Sequence, residues 1–202
     1  MKRFALVLLG VVLMAGLTAC GKQPVEEINA TRAALDLAVS EGAEKYTAED
    51  FKLVNDSLAA AMEEVKVQDG KMFKKYDQAK ELLAKVKVDA EALQAKIVTV
   101  KAELRAAAAT ALSEAGAAVA GARTQLETAP VGKGSAADIE MMKADVQGLE
   151  AALLEVQPLI DSGEFAMAAE KAATIRGKAQ SISEEVRIAR EKMAAQKVAG
   201  RK

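Results

Sequence analysis

From Tyr76 onward, apolar residues return in steps of three and four: Tyr76, Ala79, Leu83, Val86, Ala90, Leu93, Ile97, Val100, Leu104, Ala107 and Ala111. Such a seven-residue spacing is the signature of a helix packed along other helices. No Gly or Pro interrupts it before Gly116, so the pattern predicts one long helix over about 71–128. At 1.5 Å per residue it would span about 85 Å if straight. Shorter stretches flank it. Ile28, Thr31, Ala34, Leu35, Ala38 and Val39 mark one face of a first helix over about 25–44, weakened at its end by Gly42. Phe51, Val54, Leu58, Met62 and Val65 mark a second, closed by Asp69-Gly70. Ile139, Met142, Val146, Leu149 and Leu153 mark a fourth, bent or shortened by Pro158. Phe165, Ala168, Ala172, Ile175, Ala179, Ile182 and Val186 mark a fifth over about 164–195. No alternating apolar–polar run is long enough to predict a strand.

Local signals place the boundaries. Thr47-Ala48-Glu49-Asp50 has a hydroxyl followed three residues later by an acid, in the manner of a capping box, with Tyr46 and Phe51 at the spacing of a hydrophobic staple. Ser135-Ala136-Ala137-Asp138 repeats that logic. Ala129-Pro130-Val131-Gly132-Lys133-Gly134 reads as a loop.

The two halves of the chain resemble one another. Ala30, Ala33, Ala34 and Leu37 align with Ala115, Ala118, Val119 and Ala122, an offset of 85. Thr47 to Phe51 align with Ser135 to Ile139, an offset of 88, and Tyr76, Ala79, Leu83 and Val86 with Phe165, Ala168, Ala172 and Ile175, an offset of 89. The expected fold is all-α: two tandem three-helix, coiled-coil-like units, 25–98 and 105–192, sharing one long central helix. Residues 193–202 are expected as a flexible basic tail.

The N-terminus has a different pattern. Met1-Lys2-Arg3 is a short basic segment, and an apolar run from Phe4 to Met14 comes next, broken only by Gly10. The run is too short for an ordinary membrane-spanning helix, which needs about 20 residues. With its small-residue ending it predicts a secretory signal over 1–19. Leu17-Thr18-Ala19-Cys20 resembles the lipobox of bacterial lipoproteins. The resemblance implies cleavage between Ala19 and Cys20, a diacylglycerol thioether on Cys20, and acylation of the new amino group. Residues 20–24 would then be a lipidated tether, with the lipid bilayer as partner through acylated Cys20. Cys20 is the only cysteine, so no disulfide forms within the chain. Position 21 is Gly, not Asp, which by analogy with enteric sorting directs the protein to the inner leaflet of the outer membrane, facing the periplasm; surface exposure is the alternative.

Composition narrows the chemistry. Histidine and tryptophan are absent. Without His and with Cys20 consumed, the Ser-His-Asp and Cys-His arrangements are excluded, as are zinc sites of N and S ligands. The carboxylates lie scattered among lysines, the pattern of solvated helix faces. No catalytic, metal or cofactor site is expected. The net charge of −1 falls to about −3 when Lys2 and Arg3 leave with the signal, which offers no basic face for nucleic acid.

Three further features bear on function. Ala30-x-x-Ala33, Tyr46-Thr47-Ala48-Glu49-Asp50-Phe51, Leu58, Ala61 and Tyr76-x-x-Ala79 together resemble the uncharacterised lipoprotein family named domain of unknown function 4398. That resemblance implies a lipobox and a helical hairpin. Thr47-Ala48 departs from the Ala-Pro of the family turn, and the family supplies no active-site residues. Gly132-Lys133-Gly134-Ser135 resembles a piece of a phosphate loop, but the earlier Gly and the preceding strand are missing, so it reads as a plain loop. Ala199-Gly200-Arg201-Lys202 resembles the end of Braun's lipoprotein, which implies peptidoglycan attachment through Lys202; the alternative is a charged, frayed terminus. The expected function is a membrane-anchored, non-catalytic envelope lipoprotein, a helical spacer or scaffold with a protein partner in the envelope. The alternative is a periplasmic binding module with a groove between its units, lined by Met141, Met142 and Met167, for a partner protein or apolar ligand.

Overall fold

The computed structural model describes residues 21–129 and 136–199. Among them every regular element is a helix: α1 (Val25–Glu41), α2 (Ala43–Tyr46), α3 (Ala48–Asp69), α4 (Asp77–Glu127), α5 (Ala136–Leu154), α6 (Val156–Asp161) and α7 (Phe165–Ala199). The chain forms two compact units, divided between Val100 and Lys101, with α4 contributing to both.

In the first unit the core has two layers. Near the start of α1, Ile28 packs with Ala61 and Val65 of α3 and with Tyr76, Ala79 and Leu83. Near its end, Leu35 and Ala38 pack with Ala43, Val54, Val86, Ala90, Leu93 and Ile97. These pairings fix an up-down-up order for α1, α3 and α4. The expected stripe from Tyr76 to Ile97 is buried at all seven positions. Thr31 belongs to the same face: its Oγ1 lies 2.7 Å from the Glu27 carbonyl and 3.1 Å from the Leu83 carbonyl, so a buried hydroxyl is satisfied across the α1–α4 seam.

The second unit repeats the core. Phe165, Ala168, Ala172, Ile175, Ala179, Ile182 and Val186 on α7 are all buried, each 89 residues after a buried residue of the Tyr76–Ile97 stripe. On α5, Ile139, Val146 and Leu149 are buried while Met142 and Leu153 are half-buried. The first-helix register differs from the expected one. Buried Thr31, Leu35 and Ala38 correspond to buried Ala115, Val119 and Ala122, an offset of 84, whereas the offset of 85 sets exposed Ala30 on buried Ala115. One residue is about 100° around a helix, so burial decides between the two.

Other boundaries also shift. The predicted stripe fails past Ile97: Val100 is half-buried, Leu104 and Ala107 are exposed, and burial resumes at Ala108. Eleven residues make three turns of about 3.7, which departs from the seven-residue spacing of about 3.5 per turn. With no buried residue from 98 to 107, nothing holds the seven-residue register there.

α4 begins at Asp77, not near Lys71, because the side-chain oxygen of buried Gln68 accepts the Lys75 N–H at 3.3 Å and holds residues 70–76 as a turn. Thr47 precedes α3 but does not cap it; its hydroxyl donates back to the Ala43 carbonyl at 3.2 Å, into the preceding turn. Tyr46 and Phe51 nevertheless pack on the same core layer, as a staple would. α5 stops at Leu154 because Pro158 has no N–H for the Leu154 carbonyl and its ring crowds that carbonyl. α7 continues to Ala199, past the expected end near residue 195, and residues 200–202 of the expected tail lie outside the described residues.

Gly42 divides α1 from α2 with φ of 101°, and its N–H closes the end of α1 on the Ala38 and Val39 carbonyls. A Cβ there would lie 2.9 Å from the Tyr46 ring. Gly42→Ala is therefore expected to destabilise the protein by ~1–2 kcal/mol. Gly177→Ala, inside α7 with open space around it, is expected to stabilise it by ~0.5–1 kcal/mol. Urea unfolding of the two variants checks both signs.

Candidate functional site

The residues expected to carry the lipid and the cleavage, Cys20 and Ala19, lie outside the described residues, as do Lys202 and the loop Gly132, Lys133, Gly134 and Ser135. The segment from Gly21 to Pro24 is described, and it is not a free tether. A Cβ on Gly21 would meet the Lys74 carbonyl oxygen at 3.0 Å and the Tyr76 ring at 3.3 Å, so the backbone lies directly on the α3–α4 turn. The Gln23 side-chain amide donates to Asp69 at 3.0 Å. Pro24 is buried, and its carbonyl accepts the Ile28 N–H at 3.0 Å, starting α1. Proline suits that place, since the donor it lacks would have had no helical partner.

Asp69 organises this end of the unit. Besides Gln23 it accepts a short hydrogen bond from the Tyr76 hydroxyl and lies 4.0 Å from Lys74 Nζ. The carboxylate thus joins the N-terminal segment, the end of α3 and the start of α4. Between these contacts the turn presents Met72 and Phe73, 85% and 74% exposed, flanked by Lys71, Lys74 and Lys75. Sequence spacing points to none of this, because it sets Lys71 to Tyr76 inside a helix. The lone Asp69-Gly70 stop signal is the available hint.

Elsewhere the charged groups form surface pairs. Glu27 lies 3.2 Å from Lys80; its own backbone N–H holds the carboxyl below the usual range, partial burial opposes this, and Lys80 adds to it. Arg123 reaches from α4 to Glu150 of α5 at 3.2 Å and also pairs with Glu127, and both partners hold its proton more tightly. On α7, Glu184 and Glu191 raise Arg187, and Arg187 in turn lowers Glu184. α4 has no basic residue in its last turn, and Arg190 of α7 supplies one, donating to the Gln125 carbonyl at 2.8 Å and to Thr128.

A shallow groove of ≈ 640 Å³ runs between α5 and α7. Ala144, Gly148 and Ala152 open it, Leu149, Ile175 and Ile182 contribute apolar surface, and Lys171 and Lys178 border it. Met141 and Met167 are exposed and Met142 is half-buried, but none of the three lines this groove. Among the described residues no three His, Cys, Asp or Glu side chains gather into a metal-holding group. No described helix is long and apolar enough to cross a membrane.

Residues 26–109 match the family model of a domain of unknown function (DUF4398). The match spans α1 to α3 and the first part of α4, that is, the helices of the first unit and the whole of the stretch 98–107 after Ile97. No curated protein and no solved structure matches the chain.

Two outcomes are expected of these contacts. Asp69→Ala should raise amide exchange at residues 22–25 by roughly tenfold while leaving α7 protected, read by hydrogen-exchange mass spectrometry. Glu27 and Glu184 bind protons less readily when folded, so the stability they add is present above the ordinary value of 4.5 and is lost as pH falls through the lowered ones. The difference in thermal midpoint between wild type and Glu184→Gln should accordingly be full at neutral pH and close on the acid side of 4.5.

Proposed function

We propose that this protein is a membrane-anchored, non-catalytic lipoprotein of the bacterial cell envelope, held by acyl chains on Cys20 and acting as a helical spacer or interaction scaffold. The observation that carries the reading is the junction at Cys20. A basic start, an apolar run and Leu17-Thr18-Ala19-Cys20 lie on one side of it. On the other side the packed helical unit has already begun by Gly21, with Pro24 buried and α1 starting at Val25. A cleavage before Cys20 removes the signal and leaves the fold whole.

The anchor has a clear physical basis. Burial contributes about 0.8 kcal/mol per CH₂, so one chain binds a membrane only marginally and two or more bind it firmly. The Gly at position 21 supports export to the outer membrane, with the helical units facing the periplasm. The scaffold part of the reading rests on α4, a helix of 51 residues that supplies core positions to two units and has no buried residue from 98 to 107. Side chains such as Val98, 64% exposed, and Leu104, 38% exposed, are then available to another protein. The absence of His and the dispersal of carboxylates into surface ion pairs favour contact over chemistry.

Growth with an alkyne-tagged fatty acid tests the anchor. The purified wild-type protein should carry the tag and fractionate with outer membranes, and Cys20→Ala should carry none and run as the uncleaved precursor. An untagged wild-type protein released into the soluble periplasm would overturn the proposal.

A further inference from the structure

We propose that the α3–α4 turn, Gly70 to Lys75, is a second membrane contact, in which Met72 and Phe73 enter the headgroup region of the leaflet that holds the lipid on Cys20. The inference rests on the lipid-anchor reading above and deepens it. Its first support is reach. Adjacent Cα atoms are about 3.8 Å apart, and Gly21 lies against the Lys74 carbonyl and the Tyr76 ring. Cys20 is the next residue, one Cα step of about 3.8 Å from Gly21, so an acyl chain on it starts close to this turn. The Gln23–Asp69 bond and buried Pro24 remove the slack that a flexible tether would give.

The second support is the chemistry of the turn. Met72 is 85% exposed and Phe73 74%, side by side at a tip where neither has a packing partner in the core clusters. Lys71 and Lys75 are exposed beside them, and Lys74 is half-buried. An apolar tip ringed by ammonium groups suits an interface with acyl chains below and phosphates around. The nearby acid, Asp69, is engaged with Gln23, Tyr76 and Lys74, which leaves Lys71 and Lys75 as the exposed cations of the turn.

The third support is an internal control. The corresponding turn of the second unit, Asp161-Ser162-Gly163-Glu164, has no Met-Phe pair and no lysine, and its exposed positions are polar. The turn at the other end of the first unit, 42–47, likewise exposes no large apolar side chain. Of these three turns, the one beside Cys20 alone carries the pair. Such a contact would fix the orientation of α1, α3 and α4 against the bilayer, which a lipid alone leaves free to swing.

The chain contains no tryptophan, so Phe73→Trp gives a single indole at the tip and Leu53→Trp a single indole on an exposed face of α3, where Leu53 is 66% exposed. Each full-length variant is purified with its lipid and placed in phosphatidylethanolamine–phosphatidylglycerol vesicles with or without bromine on the acyl chains. Expected is at least about a twofold quenching by bromine at position 73 and none at position 53. An intact mass carrying the lipid, together with equal and negligible quenching at both positions, would overturn this inference and leave the anchor standing. A mass without lipid on Cys20 would overturn the anchor reading itself, whatever the fluorescence.

Discussion

The structure depends on close approach of helices along a seam where alanine alternates with larger aliphatic residues. Ala79 and Ala90 are fully buried between Leu83, Val86 and Leu93, and in the second unit Ala168, Ala172 and Ala179 take the same part beside Ile175 and Ile182. An alanine contributes little apolar area. Its value lies in letting a neighbouring helix come near enough for the larger side chains to interdigitate at the density of a protein interior. The constraint has two consequences. Polar groups on the seam must be satisfied locally, as Thr31 is by the Glu27 and Leu83 carbonyls. And helices with so thin a core need company, which accounts for three helices to a unit and for the return of one pattern along α4 and α7.

That seam is the part most legible in the sequence. Its spacing alone predicts an all-α chain, the long helix, and every buried position from Tyr76 to Ile97 and from Phe165 to Val186. Spacing succeeds there because period is a property of burial, and burial decides these helices. It fails where local hydrogen bonds decide instead. Thr47 looks like a cap in sequence, yet its hydroxyl donates to the Ala43 carbonyl and makes no cap bond to the following amides. Lys71 to Tyr76 look helical by composition, yet Gln68 and Asp69 hold them as a turn through side chains whose partners lie seven residues away or farther. The offset read from the first helices is one residue too large, since alanine-rich segments slide past one another in an alignment at almost no cost, while a rotation of about 100° in the fold exposes a core face.

The electrostatic features are of a different rank. Pairs that cross between helices, such as Lys96 with Asp50 at 2.6 Å and Arg123 with Glu150 at 3.2 Å, sit among exposed side chains. Pairs of that kind are worth little individually, about 0–1 kcal/mol. They bias the register of neighbouring helices and keep the surface soluble more than they hold the fold. Asp69 differs because, from the end of α3, it collects three partners out of two other segments at one end of a unit, so that its removal loosens a whole corner.

Duplication gives these differences a meaning. Where two halves share a core, packing explains what they have in common, and function is best sought where they part. They part at three places. The turn after α3 carries Met72, Phe73 and three lysines, and its counterpart after α6 carries none. The α5 face bears Ala144, Gly148 and Ala152 where α3, at the offset of 88, bears Asp56, Ala60 and Glu64, and so a groove opens beside α7. Between the halves, residues 98–107 of α4 expose Val98 and Leu104 with no core to serve. These differences are distributed over an end, a side and a connecting helix, all open to solvent, which is the distribution the proposed spacer or scaffold role would use.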